Sequence, residues 1–506
     1  MAWHYILQAL AACCILKSAQ WLYRLTLHPL AHVPGPKLAA MTSLYAMSWD
    51  MPAETSYVKN FGAWHKKYGP VIRIEPNHVH ILDLDAYNKV FRIGTKFDRD
   101  PVIYSFHFTA GGFFNKLRVK DAKPHRDLYM SYFSRGAVQS LEPRIREHLT
   151  TFLTQIDRMS SEGKAIDLTR GFRCLSADTL MRYSYDRPFG ATTSPDFVFP
   201  LLEAIESMFR NSPIGWYFPN IMFYVTRWVK AAPRSWTRFD PGIAASLQIL
   251  DGCLERIVQL RNDPKKQDVP SVFRTAMHPN PEKGHPVLSD ADMSSDALTI
   301  FVAGTDTTAH TLTNGTYQIL RKSTVLKKLQ TELRAAMPSI NSLSDTPLDW
   351  TALESLPYLR AVIKECLRIS SPVPTKLPRM VPAGGAELAG MFLPSGTAVS
   401  MTMHAYHSNP DYFPEPGKFK PERWLDDSAN KEGSVQDKAF APFSRGSRNC
   451  IGQNLGLAEL YFGFAYLFRN FELELFETGE KEMHWKDLFT AVTDGHLKVK
   501  ARRVKD

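Results

Sequence analysis

Positions 443–452 read Phe-Ser-Arg-Gly-Ser-Arg-Asn-Cys-Ile-Gly, placing a single thiol, Cys450, in a glycine-bracketed loop that runs straight into an apolar, helix-like segment. That arrangement presents a thiolate to a metal. Gly446 permits a backbone bend that a side chain would obstruct, and Gly452 lets the chain approach a large planar group. Arg445 and Arg448 put positive charge around a sulfur that must stay deprotonated to bind iron. Amides of the following helix could donate to the same sulfur. A lone intracellular cysteine is ordinarily a small buried hydrophobe, so the rest of the chain must support the metal reading.

Three further patterns do so. Glu365 and Arg368 in Lys-Glu-Cys-Leu-Arg are three apart and share a helix face. Positions 419–424 read Phe-Lys-Pro-Glu-Arg-Trp. Within 294–320, an apolar helical pattern is interrupted by Ala303-Gly304-Thr305-Asp306-Thr307-Thr308. Glycine costs about 1 kcal/mol against alanine in a helix, and threonine hydroxyls compete for backbone carbonyls. A helix carries that penalty where a groove is useful.

Together these segments resemble the cytochrome P450 family from about residue 68 to the C-terminus. The resemblance implies that Cys450 is the axial ligand of haem b (iron protoporphyrin IX), within a loop signature formed by Phe443, Gly446, Cys450, Ile451 and Gly452. Glu365, Arg368 and Arg423 would form a Glu-Arg-Arg network that holds the cysteine loop. Ala303 and Gly304 would lie beside bound dioxygen, with Asp306 and Thr307 as the acid and alcohol of proton delivery. Thr305 and Thr308 are read as packing or water-organising groups. The haem propionates need cations, for which Arg448, Arg379 and Arg126 are the candidates. One position departs from the pattern: Ala122 stands where fungal relatives carry a His (a Trp elsewhere), and His125 reads as a nearby surface residue.

The fold implied is mainly α with small β-sheets, the cytochrome P450 fold. Strand-like alternation is limited to segments such as 71–74 with 78–82, and 396–401, while helical patterns dominate after Pro124. The domain reading is an N-terminal anchor over 1–30, a proline-rich hinge over 31–45, and one catalytic domain over 46–506. No flavin or nicotinamide fingerprint, repeat or low-complexity tract interrupts it.

The six cysteines, at 13, 14, 174, 253, 366 and 450, show neither a disulfide framework nor zinc spacing, in keeping with a reducing compartment. Cys13 and Cys14 sit in an apolar run over 5–16, followed by Lys17. The run is short for a bilayer span of about 20 residues. A tilted span over 3–23, a signal peptide and a core helix are the alternatives. No basic segment precedes the run, which weighs against a signal peptide. The following Val-Pro-Gly-Pro resembles the family's hinge and implies an endoplasmic-reticulum anchor with a cytosolic catalytic domain, in contact with membrane lipid.

Net charge is +10, from 61 basic and 51 acidic residues, with no basic tract dense enough for nucleic acid. Part of the excess could face an acidic electron donor. In the family this is NADPH-cytochrome P450 reductase, with cytochrome b5 as a possible second, and O2 is the co-substrate. The expected substrate walls are 104–114, 216–224, Ile300, Ala303, 373–377 and 489–492, mostly apolar. Segment 377–385 with 392–397 and the 407–410 turn is most similar to fungal secondary-metabolism members resembling trichodiene oxygenase. That implies hydroxylation or epoxidation of a lipophilic terpenoid or polyketide intermediate. The alternatives are a haem-thiolate isomerase or dehydratase, against which the Asp306-Thr307 pair argues, and a non-catalytic haem- or lipid-binding protein.

Overall fold

The computed structural model describes residues 2–52, 55–104, 109, 111–185, 188–210, 212–233, 235–236, 241–262, 271–340, 342–426 and 431–504. At its centre runs the 31-residue helix Asp290–Leu320. Its start is set locally: the Ser289 side chain accepts the Asp292 amide, and Asp290 and Asp292 bring negative charge to the first turn. The helix continues unbroken through the Gly304–Thr308 cluster, because packing outweighs the weak local propensity. A Cβ on Gly304 would come within 2.8 Å of Leu180, so the glycine allows close approach of the helix Leu168–Tyr185. Two further helices, Pro357–Ser370 and Gln453–Asn470, pack around the same axis, and with Glu142–Ser161 they enclose the largest apolar core.

Four small sheets lie at the periphery. The largest orders its strands Val71–Glu75, His78–Ile81, Ala398–Ser400, Arg379–Met380 and Asp98–Arg99. Its last rung is two residues long and pairs Arg99 directly with Arg379, antiparallel. Residues 71–81 and 398–400 fall where the alternation predicted strands. Three roof helices, Pro200–Arg210, Ser212–Tyr217 and Pro219–Ala231, complete the enclosure.

The N-terminal helix Ala2–Thr26 stands apart, with Leu7, Leu10, Ile15 and Leu16 all exposed. By length and composition it could cross a membrane.

Candidate functional site

An internal cavity of about 680 Å³ opens between the central helix, the cysteine loop and the roof helices. Cys450 lines it, as do Phe443, Arg448, Ile451 and Gly452. The loop is folded by its own backbone: the Cys450 amide donates to the Phe443 carbonyl at 2.8 Å. Gly446 has φ +72°, and a Cβ there would meet the Phe91 carbonyl oxygen at 2.1 Å, so no other residue fits. Cys450 is open to the cavity yet surrounded by protein. That burial pushes its thiol up, while the Gly452 amide donating to the sulfur and the Arg126 charge pull it back.

Four arginines share this cavity wall: Arg99, Arg126, Arg379 and Arg448. Arg126 donates to the carbonyl and side-chain oxygens of Asn449, at 3.0 and 2.7 Å. Arg379 donates to the Tyr104 hydroxyl at 2.6 Å and lies over the Phe91 ring. Arg448 donates to the Phe113, Lys116 and Leu117 carbonyls. Arg99, which no motif announced, donates to the Phe114 carbonyl and stacks between Tyr104 and Phe114.

None of the four pairs with a carboxylate among the described residues. Burial, then the charges of Arg448, Arg379 and Arg126, hold Arg99 well below the ordinary guanidinium range, with Tyr104 pulling the other way. Arg448 is brought down to about 10 by burial first and Arg379 next. The Nε atoms of Arg99 and Arg448 are buried and without a partner. Like charges set opposite each other across strands are destabilising. The cluster therefore calls for an anionic group.

On the central helix, Ala303, Gly304, Thr307 and Thr308 line the cavity. The Thr307 hydroxyl donates to the Ala303 carbonyl at 2.7 Å, leaving its oxygen lone pairs free to accept. Asp306 does not line this cavity. Successive helix residues point about 100° apart, and Asp306 faces a separate polar cleft of about 50 Å³ with Arg173, Glu206 and His310. Arg173 donates to it at 2.9 Å and pairs with Glu206. Burial pushes the Asp306 carboxyl up, and Arg173 pulls it down. Phe209 and Thr490 line both spaces, so the two adjoin.

Glu459 was not foreseen. It lies in an apolar stretch of the helix Gln453–Asn470, is 5 % exposed and lines the cavity, with its Oε2 unpartnered. Burial pushes it up to about 8, the neighbouring Ser176 hydroxyl pulling the other way.

Away from the cavity, Glu365 is fully buried and fully paired. It accepts from Arg368 at 2.8 and 2.9 Å, Arg423 at 3.1 Å, the Trp424 indole at 2.8 Å and the Lys420 amide at 2.8 Å. Arg368 also donates to the His407 and Pro416 carbonyls.

His125 is a correction: it is not a surface residue. It is 2 % exposed and 2.7 Å from Asp296, whose carboxylate also accepts from Tyr129 and the Phe113 amide. Ala122 beside it is fully buried. Of the expected substrate walls, Phe114, Trp216, Ile300, Val373, Leu377 and Phe489 line the cavity, while 105–108 and 110 lie outside the described residues.

The residues present fit an iron porphyrin with two carboxylates. They offer a soft thiol donor, apolar walls, four guanidiniums lacking counter-charges, and at Gly452 a position whose added Cβ would meet no protein atom. The comparisons agree. Residues 36–499 match the family model described as Cytochrome P450. The chain belongs to the cytochrome P450 family. It is 36 % identical over 477 residues to cytochrome P450 monooxygenase hkm5 of Aspergillus hancockii, covering 92 % of this chain and 90 % of that one. It is 33 % identical to cytochrome P450 monooxygenase ankB of Aspergillus thermomutatus, covering 94 % and 90 %. In fold, this P450 is similar to a crystal structure of the cytochrome P450DA heme domain, with TM-score 0.74 at 16 % identity, over 94 % of this chain and 97 % of the other. It is a monooxygenase of the haem-thiolate class, mainly α with small sheets.

Proposed function

We propose that this P450 takes electrons from NADPH through a separate reductase and uses O2 to hydroxylate or epoxidise a lipophilic terpenoid or polyketide intermediate of fungal secondary metabolism. The observation carrying this reading is the meeting, in one largely apolar cavity, of the Cys450 thiol, the unpaired arginines and the Thr307 segment of the central helix. Haem bound there supplies dioxygen activation, with a cysteine thiolate pushing electron density toward iron. Cys450 would be its ligand, and Arg99, Arg126, Arg379 and Arg448 would neutralise its propionates.

The protein's own part is position, protons and exclusion of water. Phe443, Gly446, Ile451 and Gly452 hold the ligand loop. The central helix at Ala303 and Gly304 supplies the facing wall, and Thr307 accepts a hydrogen bond from a cavity water. Asp306, held by Arg173, would pass a proton from water toward the cavity. The polar cleft beside it has room for a water, which needs roughly 10–15 Å³. Release to the cavity requires Asp306 to turn from Arg173. Apolar walls such as Leu298, Ile300 and Phe489 select a lipophilic substrate. Helix Ala2–Thr26 anchors the chain to the endoplasmic-reticulum membrane, with the catalytic domain in the cytosol.

The test is the carbon monoxide difference spectrum of the reduced protein, then turnover of a terpenoid and polyketide panel with NADPH and reductase. A strongly red-shifted Soret band and NADPH-dependent oxygenated product are expected. Thr307→Ala should leave the band intact and divert reducing equivalents to hydrogen peroxide; unchanged coupling would remove Thr307 from the proton path.

A further inference from the structure

The roof helix Ser212–Tyr217 faces two ways. Ile214, Gly215 and Trp216 line the cavity, whereas the Tyr217 hydroxyl donates to Asp50 Oδ2 at 2.6 Å. Asp50 is 2 % exposed and ends the helix Leu44–Asp50 in the N-terminal part of the domain. Its other oxygen accepts the Tyr57 amide at 2.7 Å, so the carboxylate is fixed from the body of the protein and reached from the roof. Behind it sits Lys376, 2 % exposed, which pairs with Glu75 at 2.9 Å. The Lys376 ammonium lies 5.4 and 5.5 Å from the ring centres of Tyr57 and Tyr217. Its neighbours Thr375 and Leu377 line the cavity, so the ionic hub and the cavity wall share one segment.

Beyond Tyr217 the roof buries one face, with Thr226 and Val229 turned to the cavity, and leaves the other open to solvent. Phe218, Ile221, Phe223, Tyr224 and Trp228 are all exposed. Among the described residues no salt bridge joins the helices Ser212–Tyr217 and Pro219–Ala231 to the body. Lifting the helix Ser212–Tyr217 would break the Tyr217–Asp50 bond and draw Trp216 from its packing against Ile103 and Tyr104, while Asp50, Lys376 and Glu75 keep their bonds to the body.

We propose that the Tyr217–Asp50 hydrogen bond is a latch that holds the roof shut over the cavity and thereby sorts ligands by size. A phenol donating to a buried carboxylate is stronger than a neutral hydrogen bond, but it is a single bond and exchanges without disturbing the hub. Small ligands pass through ordinary fluctuations of the wall. Bulky ones wait for the latch.

The proposal uses haem as its reporter and so rests on the haem-thiolate reading, whose own failure would appear in the wild-type carbon monoxide spectrum. The experiment is stopped-flow binding of two haem-coordinating azoles, imidazole and the bulky clotrimazole, to the wild-type holoenzyme and to Tyr217→Phe. The variant removes one oxygen and keeps the ring against Lys376. Clotrimazole should bind and leave about tenfold faster, as expected for loss of one hydrogen bond to a charged group, with little change in equilibrium affinity. Imidazole rates should not move. Asp50→Asn, which retains an acceptor without the charge, should fall between. Unchanged clotrimazole rates, equal acceleration of both azoles, or a Tyr217→Phe protein that no longer loads haem would each overturn the latch, the last by showing that the hydroxyl holds the fold.

Discussion

The Glu365 network and the cavity wall around Cys450 are built on opposite rules. Away from the cavity, the Glu365 carboxylate receives five donors and both its arginines find further carbonyls, so nothing there invites a ligand. On the cavity wall, four guanidiniums, three of them buried, have no counter-ion among the described residues, two Nε atoms lack partners, and Glu459 has a bare oxygen. Buried polar groups are normally satisfied, and each exception asks for an explanation. A saturated network marks scaffold. An unsaturated one marks the place where something else completes it.

The contrast can be broken at four points. The largest effect belongs to Cys450→Ala, which should abolish the red-shifted carbon monoxide band altogether; the same band in the variant would refute thiolate ligation by this residue. Next comes Arg368→Ala. Removing one partner from a buried ion pair costs about 3–5 kcal/mol, so the variant should release haem at a markedly lower urea concentration and accumulate poorly.

Arg99→Leu separates the two rules most sharply. Haem transfer to an acceptor globin should quicken about tenfold, the scale of one charged hydrogen bond, while the haem-free chain should melt no lower than wild type because a like-charge rung has been relieved. A lower melting temperature for the haem-free variant would mean that Arg99 is scaffold after all. The last point is Glu459, read only through the pH dependence of stability. Its folded-state pKa of about 8 lies above the unfolded value of about 4.3. The folded chain keeps a proton the unfolded chain has lost, so this group's contribution to stability falls as pH rises from about 4 to 8. Glu459→Gln should flatten that decline in thermal melts; Asp487, also pushed up to about 8 by burial, leaves a remainder.

Much of the scaffold was legible because it is local in sequence. Glu365 and Arg368 meet on one helical turn, and the turn geometry of Phe443 to Gly452 is written in its glycines. What escaped reading depends on distant partners. Arg99 enters the site through a two-residue strand whose mate, Arg379, is 280 positions away, too short a rung to leave an alternating pattern. His125 looked solvated because its partner Asp296 lies 171 residues on. Glu459 is one acid in an apolar helix, and sequence alone does not say which side of a buried helix borders a cavity. The family resemblance gives Asp306 and Thr307 as an acid–alcohol pair, yet the helix turns them toward different spaces.

The paired arginines at the edge of the largest sheet carry a consequence for how the protein matures. Two cations facing each other across the final rung oppose its closure, and the strand is only two residues long. A dianionic cofactor held by these side chains would offset that repulsion. Haem would then steady the edge of the sheet as well as serve the reaction, and the yield of finished enzyme in a cell should rise with the supply of haem.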